Sequence, residues 1–164
     1  MINEISGDIL LSRAAAIAHG VAPMDHFDQG LALALRQQWP SMYDDFRHWC
    51  HVHHPAAGDL WAWAGADGKR VVSLLTQDPA RNHNQHPGGA TQSHVSHALR
   101  ALHKWVEKEK ITSLALPRLA TGVGGLEWRE VRPLIQQHLG TLTIPVFVYA
   151  TYVPGLAATE TGIH

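Results

Sequence analysis

The chain has 164 residues, which fits one domain with a full core. Hydrophobic residues make up 45% and charged residues 16%, the profile of an ordinary globular protein slightly poor in charge. A formal net charge of -1 supplies no global basic field, so strong general nucleic-acid binding is not expected. With Cys50 as its one cysteine, the chain cannot form an intramolecular disulfide or a cysteine-based metal cluster.

Met1, Ile2, Asn3, Glu4 and Ile5 are short of positive charge and lack a signal-like apolar core. No apolar run approaches the roughly 20 residues that cross a bilayer, so no membrane association is expected and the cytoplasm is the expected compartment. Thirteen histidines and six tryptophans stand out. Exposed loops are the expected place for most of the histidines.

The elements follow in chain order. Residues 14–18 read as a buried strand, and residues 30–38 have helix composition. A second helix is expected over residues 41–51, after Pro40, with Ser41 as N-cap and Cys50 as a small buried residue. Residues 60–64 and 71–75 read as strands joined by a hairpin-type connection, Gly65-Ala66-Asp67-Gly68. Trp61 and Trp63 then share one strand face, and core packing against a helix is the favoured use for them.

Residues 77–89 hold no large apolar side chain and predict a long loop, a frequent place for lids. The next helix is the clearest, with Val95, Ala98, Leu99, Leu102, Trp105 and Val106 on one face. A strand is expected over residues 111–116. A helix with Val131, Leu134, Ile135 and Leu139 on one face follows; it tolerates Pro133 if it starts near Glu130 or has a distorted first turn. Gly140 suits its end. A last strand covers residues 144–149. Residues 153–164 read as a flexible tail beyond a single domain of residues 1–152.

Apolar strands separated by helices predict an α/β fold: a three-layer α/β/α sandwich around a mostly parallel mixed sheet. Ligands of such sheets bind beyond the carboxyl ends of strands. The loop there that matters most is Pro117-Arg118-Leu119-Ala120-Thr121-Gly122-Val123-Gly124-Gly125-Leu126-Glu127-Trp128, between a strand and a helix. Three glycines in four residues let backbone N–H groups approach an anion with no side chain between. The same turn also occurs in α/β proteins for structural reasons alone.

Taken together, these loops resemble those of a macrodomain, the ADP-ribose-binding α/β/α module. Gly7-Asp8-Ile9-Leu10 resembles the family's opening. Ala18-His19-Gly20-Val21 with Gly30-Leu31-Ala32-Leu33-Ala34 resembles its first ligand loop and following helix, and residues 117–128 its second. Val146-Phe147-Val148-Tyr149 matches the terminal strand. The pattern is similar to the branch holding terminal ADP-ribose glycohydrolase and the antitoxin macrodomain that reverses DNA ADP-ribosylation.

The resemblance implies roles. Asp8, beside Ile9, would accept from the adenine amino group. Thr121, Gly122, Val123, Gly124 and Gly125, leading into Leu126, would cradle the diphosphate. His19, Gly20, Gly30 and Leu31 would line the first loop's side. Tyr149 or Tyr152 would flank the adenine or its ribose. The implied partner is ADP-ribose or an ADP-ribosylated protein, nucleic acid or small molecule, with no cofactor.

The first loop departs from the family. Ala22 replaces an asparagine, Phe27 a methionine and Asp28 a glycine, and Asp25 also stands where glycine is common. Gln77 follows Thr76 where the branch has its catalytic lysine, and Gly124 lies near the place of the glycohydrolase aspartate. A carboxylate about 4 Å from a phosphate charge repels it by roughly 4 kcal/mol at an effective dielectric near 20. Asp28 must therefore turn away, sit beside a cation such as protonated His26 or a metal, or face the distal ribose, where it would activate water.

Asp28, Asp25 and His26 are the candidates for water activation, with Gln77 positioning; a solvated or helix-capping aspartate is the alternative. His83 and His86 in the long loop could join His26 as a metal set, but solvated histidines are favoured and no metal is expected. His51, His53 and His54 suit the C-terminal end of a helix. Three functions remain open: an ADP-ribosyl hydrolase, a non-catalytic ADP-ribose reader, and a macrodomain repurposed for another nucleotide.

Overall fold

The computed structural model describes residues 1–82 and 87–163. Its elements are β1 (Ile2–Gly7), a 3-10 turn (Ile9–Leu11), β2 (Ala16–Val21), α1 (Gly30–Gln38), α2 (Pro40–His53), β3 (Leu60–Ala64), β4 (Arg70–Leu75), α3 (Gln92–Lys108), β5 (Leu114–Pro117), α4 (Trp128–Leu139) and β6 (Val146–Tyr152). The six strands form one sheet in the order β1-β6-β5-β2-β4-β3. Every neighbouring pair is parallel except the β3–β4 hairpin.

The two-residue alternation of the strands sorts their side chains between two helical layers. Ala16, Ala18, Val72 and Leu74 pack with Val95, Leu99 and Leu102 of α3 and Val131 and Ile135 of α4. Val21, Val71 and Leu75 face the other way, onto Leu35 of α1 and Met42, Phe46 and Cys50 of α2. Trp61 and Trp63 pack against that second cluster, as expected. Both faces of the sheet are covered, so the fold is the three-layer α/β/α sandwich with a mostly parallel mixed sheet.

Several boundaries differ from the sequence reading. β1 has no apolar run to announce it, because Asn3, Glu4 and Ser6 interrupt its pattern and it pairs along one side only, with β6. β2 begins two residues late and extends to Val21. β5 starts at Leu114, since the Ile111 amide still bonds the Val106 carbonyl at the end of α3. Ser41 lies inside α2, where Pro40 takes the first helical position and Trp39 precedes it without a side-chain cap.

α4 starts at Trp128, two residues before Glu130, because Glu127 and Glu130 form a reciprocal capping box. Pro133 then falls in its second turn and leaves the carbonyl of exposed Arg129 without a helical donor. β6 runs on to Tyr152.

The segment after Tyr152 is not a loose tail. The Leu156 carbonyl accepts from the Asp8 amide, and the Gly155 amide donates to Asp8 Oδ2. Buried Glu160 accepts from Ser12 Oγ, the Arg13 amide and the Tyr149 hydroxyl. Burial pushes the Tyr149 hydroxyl up to about 12, so it stays a donor at neutral pH. Charge-assisted bonds of this kind contribute about 1.5–3 kcal/mol each when broken singly. Glu160→Ala is therefore expected to lower unfolding stability by about 3 kcal/mol in urea titration, while Thr161→Ala at the exposed next position leaves the midpoint in place.

Candidate functional site

The carboxyl ends of β2, β4, β5 and β6 open on one edge of the sheet, and a cleft with two adjoining compartments lies across them. The outer compartment, about 580 Å³, is bounded by Ile9, Leu10, Ala34, Thr121, Tyr149 and Tyr152. The inner one, about 230 Å³, is bounded by His19, Gly20, Asp25, Asp28, Gln77 and Gly124. Gly30, Leu31, Pro117, Arg118 and Gly122 line both, so they form the waist between them. The size and the mostly apolar walls suit a small elongated ligand.

Backbone N–H groups without a backbone acceptor belong to residues that line the cleft at that waist and on either side of it. In the 117–127 loop, the Gly125 amide bonds the Gly122 carbonyl and the Leu126 amide bonds the Ala120 carbonyl. The amides of Thr121, Gly122, Val123 and Gly124 have no backbone acceptor among the described residues. Ala120 holds φ at 62°, a left-handed conformation that turns the chain into this run. A Cβ on Gly124 would stand 2.7 Å from the Ala120 carbonyl, whereas one on Gly122 would meet nothing within 4 Å. Gly124 is therefore required by the turn, whereas at Gly122 the protein itself leaves room for a side chain.

Opposite lies the start of α1. Gln29 makes no side-chain cap, and Gly30 opens the helix at φ 57°. The first-turn N–H groups of α1 are thus left for solvent or an anion. Arg118, exposed over the Trp128 ring with its Cζ 5.5 Å from the centroid, adds a positive charge at the same place. Sequence reasoning missed Arg118, whose side chain follows no periodicity.

The first loop is built around Phe27. This residue sits at φ 50°, fully buried, edge-on to His19 at 5.3 Å and packed on Tyr43 and Phe46. A left-handed aromatic residue costs about 1–2 kcal/mol and needs bracing. Asp25 supplies it: Oδ2 accepts from the Ala22 amide at 3.0 Å and Oδ1 from the Phe27 amide at 2.9 Å.

Asp25 therefore holds the loop with both oxygens. His26 is exposed and lines a neighbouring cavity instead of the cleft. Asp28 is exposed on the rim of the inner compartment, with no ion-pair or hydrogen-bond partner among the described residues. The three first-loop candidates thus separate, and Asp28 alone of them presents a free carboxylate to the cleft.

At the inner end, His19 Nε2 bonds Ser73 Oγ at 2.9 Å, while His19 Nδ1 and Thr76 Oγ1 are buried without partners. Complete burial drives the His19 imidazole down to about 3, so it is neutral. Gln77 is buried beside it and donates Nε2 to the Gly88 carbonyl at 3.1 Å, tying the long loop to the end of β4. The isolated pairing of Gln77 with Ala90 and the His94–Asp78 contact at 2.9 Å hold the same loop.

Asp8 caps the 3-10 turn through Leu10 and holds Gly155, and it does not line either compartment. Ile9, Tyr149 and exposed Tyr152 do line the outer one. Tyr149 presents its ring there, because its hydroxyl is engaged by Glu160. Gly125 and Leu126 close the loop and line neither compartment. His83 and His86 lie outside the described residues. Among the described residues no three His, Cys, Asp or Glu side chains converge to hold a metal.

His19 has a measurable consequence. Its folded value lies below the unfolded value near 6.5, so the unfolded chain binds the proton first. Its share of stability is complete above about pH 6.5 and is lost as pH falls toward 3. Urea unfolding at pH 7 and pH 5 is expected to show a loss approaching ~1.4 kcal/mol per pH unit from this group. In His19→Gln that share of the slope should be missing.

No family model matches the chain. A DNA ADP-ribosyl transferase–DNA ADP-ribosyl glycohydrolase fusion protein of Thermosipho africanus is 30% identical over 162 residues, covering 90% of this chain and 41% of that protein. The macrodomain of Thermus aquaticus DarG superposes with a TM-score of 0.78 at 23% identity, covering 92% of this chain and 98% of that one. Thermosipho africanus DarTG in complex with ADP-ribose gives 0.77 at 25% identity, over 94% of this chain and 42% of that one. The chain spans about 41% of the length of the curated relatives it matches first. With this sheet order, these layers and this likeness to the DarG macrodomains, the chain has the macrodomain fold.

Proposed function

We propose that the chain is an ADP-ribosyl hydrolase, which binds the ADP-ribose part of a modified nucleobase, protein or metabolite and cleaves the bond at the distal ribose. The observation that carries this is the run of unbonded N–H groups at 121–124 facing the uncapped start of α1 across the waist of an elongated cleft. Such donors suit a diphosphate. The relatives' description as DNA ADP-ribosyl glycohydrolases favours a nucleobase in DNA as the substrate. No helix among the described residues is long and apolar enough to cross a membrane. The buried, free Cys50 thiol suits the cytoplasm as the place of action.

The compartments divide the ligand. The adenosine lies in the outer one, against Ile9, the Tyr149 ring and Tyr152. An adenine contact to Asp8 would be a third bond on a carboxylate already holding Leu10 and Gly155. The diphosphate takes the waist, where Arg118 offsets its charge. The distal ribose enters the inner compartment, whose wall includes His19 and Gln77.

Asp28 then faces the ribose end and takes a proton from the attacking water. The water oxygen bonds the anomeric carbon, and the bond to the leaving group breaks with its electron pair going to that group. Exposure at the rim raises the local dielectric and lowers the repulsion between Asp28 and the diphosphate.

A second reading is favoured by one residue: Gln77 stands where the resemblance places a catalytic lysine, and an amide cannot serve as an acid or base. A non-catalytic reader would bind and release ADP-ribosylated substrates intact.

Calorimetry with ADP-ribose tests the cleft. Gly122→Val places a side chain where nothing obstructs it in the free protein. It should weaken binding at least about tenfold with an unchanged melting temperature; undiminished affinity would refute the assignment. Asp28→Ala should slow ADP-ribose release from a modified oligonucleotide by roughly tenfold or more, and an equal rate removes Asp28 from the mechanism.

A further inference from the structure

Next to the inner compartment lies a second cavity of about 250 Å³, which shares Asp25 and Pro87 with it. Arg47 of α2 and Arg81 of the loop after β4 line this cavity together with His26. Arg47 donates one Nη1 hydrogen bond to the Met24 carbonyl, which anchors the guanidinium and leaves most of its five donors unused. Arg81 is exposed and has no ion pair among the described residues. A third guanidinium, Arg36, lies outside the lining and bonds the His26 carbonyl.

Asp25 is the one carboxylate that lines this cavity. Asp25 gives both oxygens to backbone amides, Asp78 pairs with His94, and Asp45 accepts from the Trp63 indole. Within the lining of this cavity, two arginines thus stand against one carboxylate, beside the compartment where the bond would break.

We propose that this cavity is a phosphate subsite for the leaving group, taking a phosphodiester of the nucleic acid that carries the modified base. The inference rests on the reading of the cleft as an ADP-ribose site. Guanidinium forks match phosphate oxygens in geometry as well as charge. A nucleotide always carries an anion at a fixed short distance from its base, whereas a modified protein side chain carries none at a defined place. A fixed anion subsite one step beyond the distal ribose therefore selects nucleotides. It also reconciles a net charge of -1 with a nucleic-acid substrate, because the attraction is confined to one concavity.

The test compares two substrates, a single-stranded oligonucleotide with one ADP-ribosylated base and the matching ADP-ribosylated nucleoside without phosphates. Turnover, or equilibrium binding where the bond stays intact, is measured across a salt series. The wild-type protein should prefer the oligonucleotide by about tenfold or more at low salt, and Arg81→Gln should remove most of that preference. The same variant should reduce the salt slope by about 0.7 and leave the nucleoside and free ADP-ribose unaffected. Arg81→Glu should reverse the preference. Equal handling of both substrates by wild type and variant, or a preference for an ADP-ribosylated peptide, overturns the subsite while ADP-ribose binding stands. Absence of ADP-ribose binding in the wild type removes the cleft reading, and the subsite with it.

Discussion

A peptide N–H that no carbonyl reaches must be met by water or by a ligand. This fold collects such groups at one edge of its sheet. Parallel strands end there together, and each ends in a loop or a helix start. The amides at 121–124 and the opening turn of α1 are brought together by the neighbouring positions of β5 and β2 in the sheet. Everything proposed for the cleft depends on that convergence, because it supplies preformed donors without long, mobile side chains.

The first loop solves a different physical problem. It must pass from β2 to α1 while presenting polar groups to the cleft on one side and apolar groups to α2 on the other. Phe27 does the second job by reaching into the aromatic cluster of Tyr43 and Phe46, and its strained backbone is held by Asp25. With Phe27 pinned, its neighbours diverge: His26 lines the arginine-lined cavity and Asp28 the inner compartment. One buried ring thus decides which of the two polar residues flanking it reaches the cleft.

The layers are legible in the residues. Val95, Ala98, Leu99, Leu102 and Val106 have a spacing that can bury only as one helix face, and they do so against the sheet. The glycine loop is legible too, since three glycines after an apolar run constrain the backbone directly. β1 is not, because an edge strand with polar alternate positions looks like loop. Nor is the use of Asp25, Asp28 and His26, since three polar residues within four positions can be separated only by knowing where Phe27 goes. Arg118 and Arg81 acquire meaning from neighbours distant in sequence, which composition does not reveal. The anchoring of residues 153–160 depends on Asp8, Ser12 and Tyr149, and no local pattern signals such long-range partners.

The C-terminal segment also bears on association between molecules. β1 is an outer strand, and its final residues would offer free peptide groups to any passing chain. The Val153 amide continues the β1–β6 ladder onto the Gly7 carbonyl, and the Leu156 carbonyl covers the Asp8 amide just beyond the strand. Removing the residues after Tyr152 would leave the Asp8 amide unmet at the end of an outer strand, a place where another chain can pair.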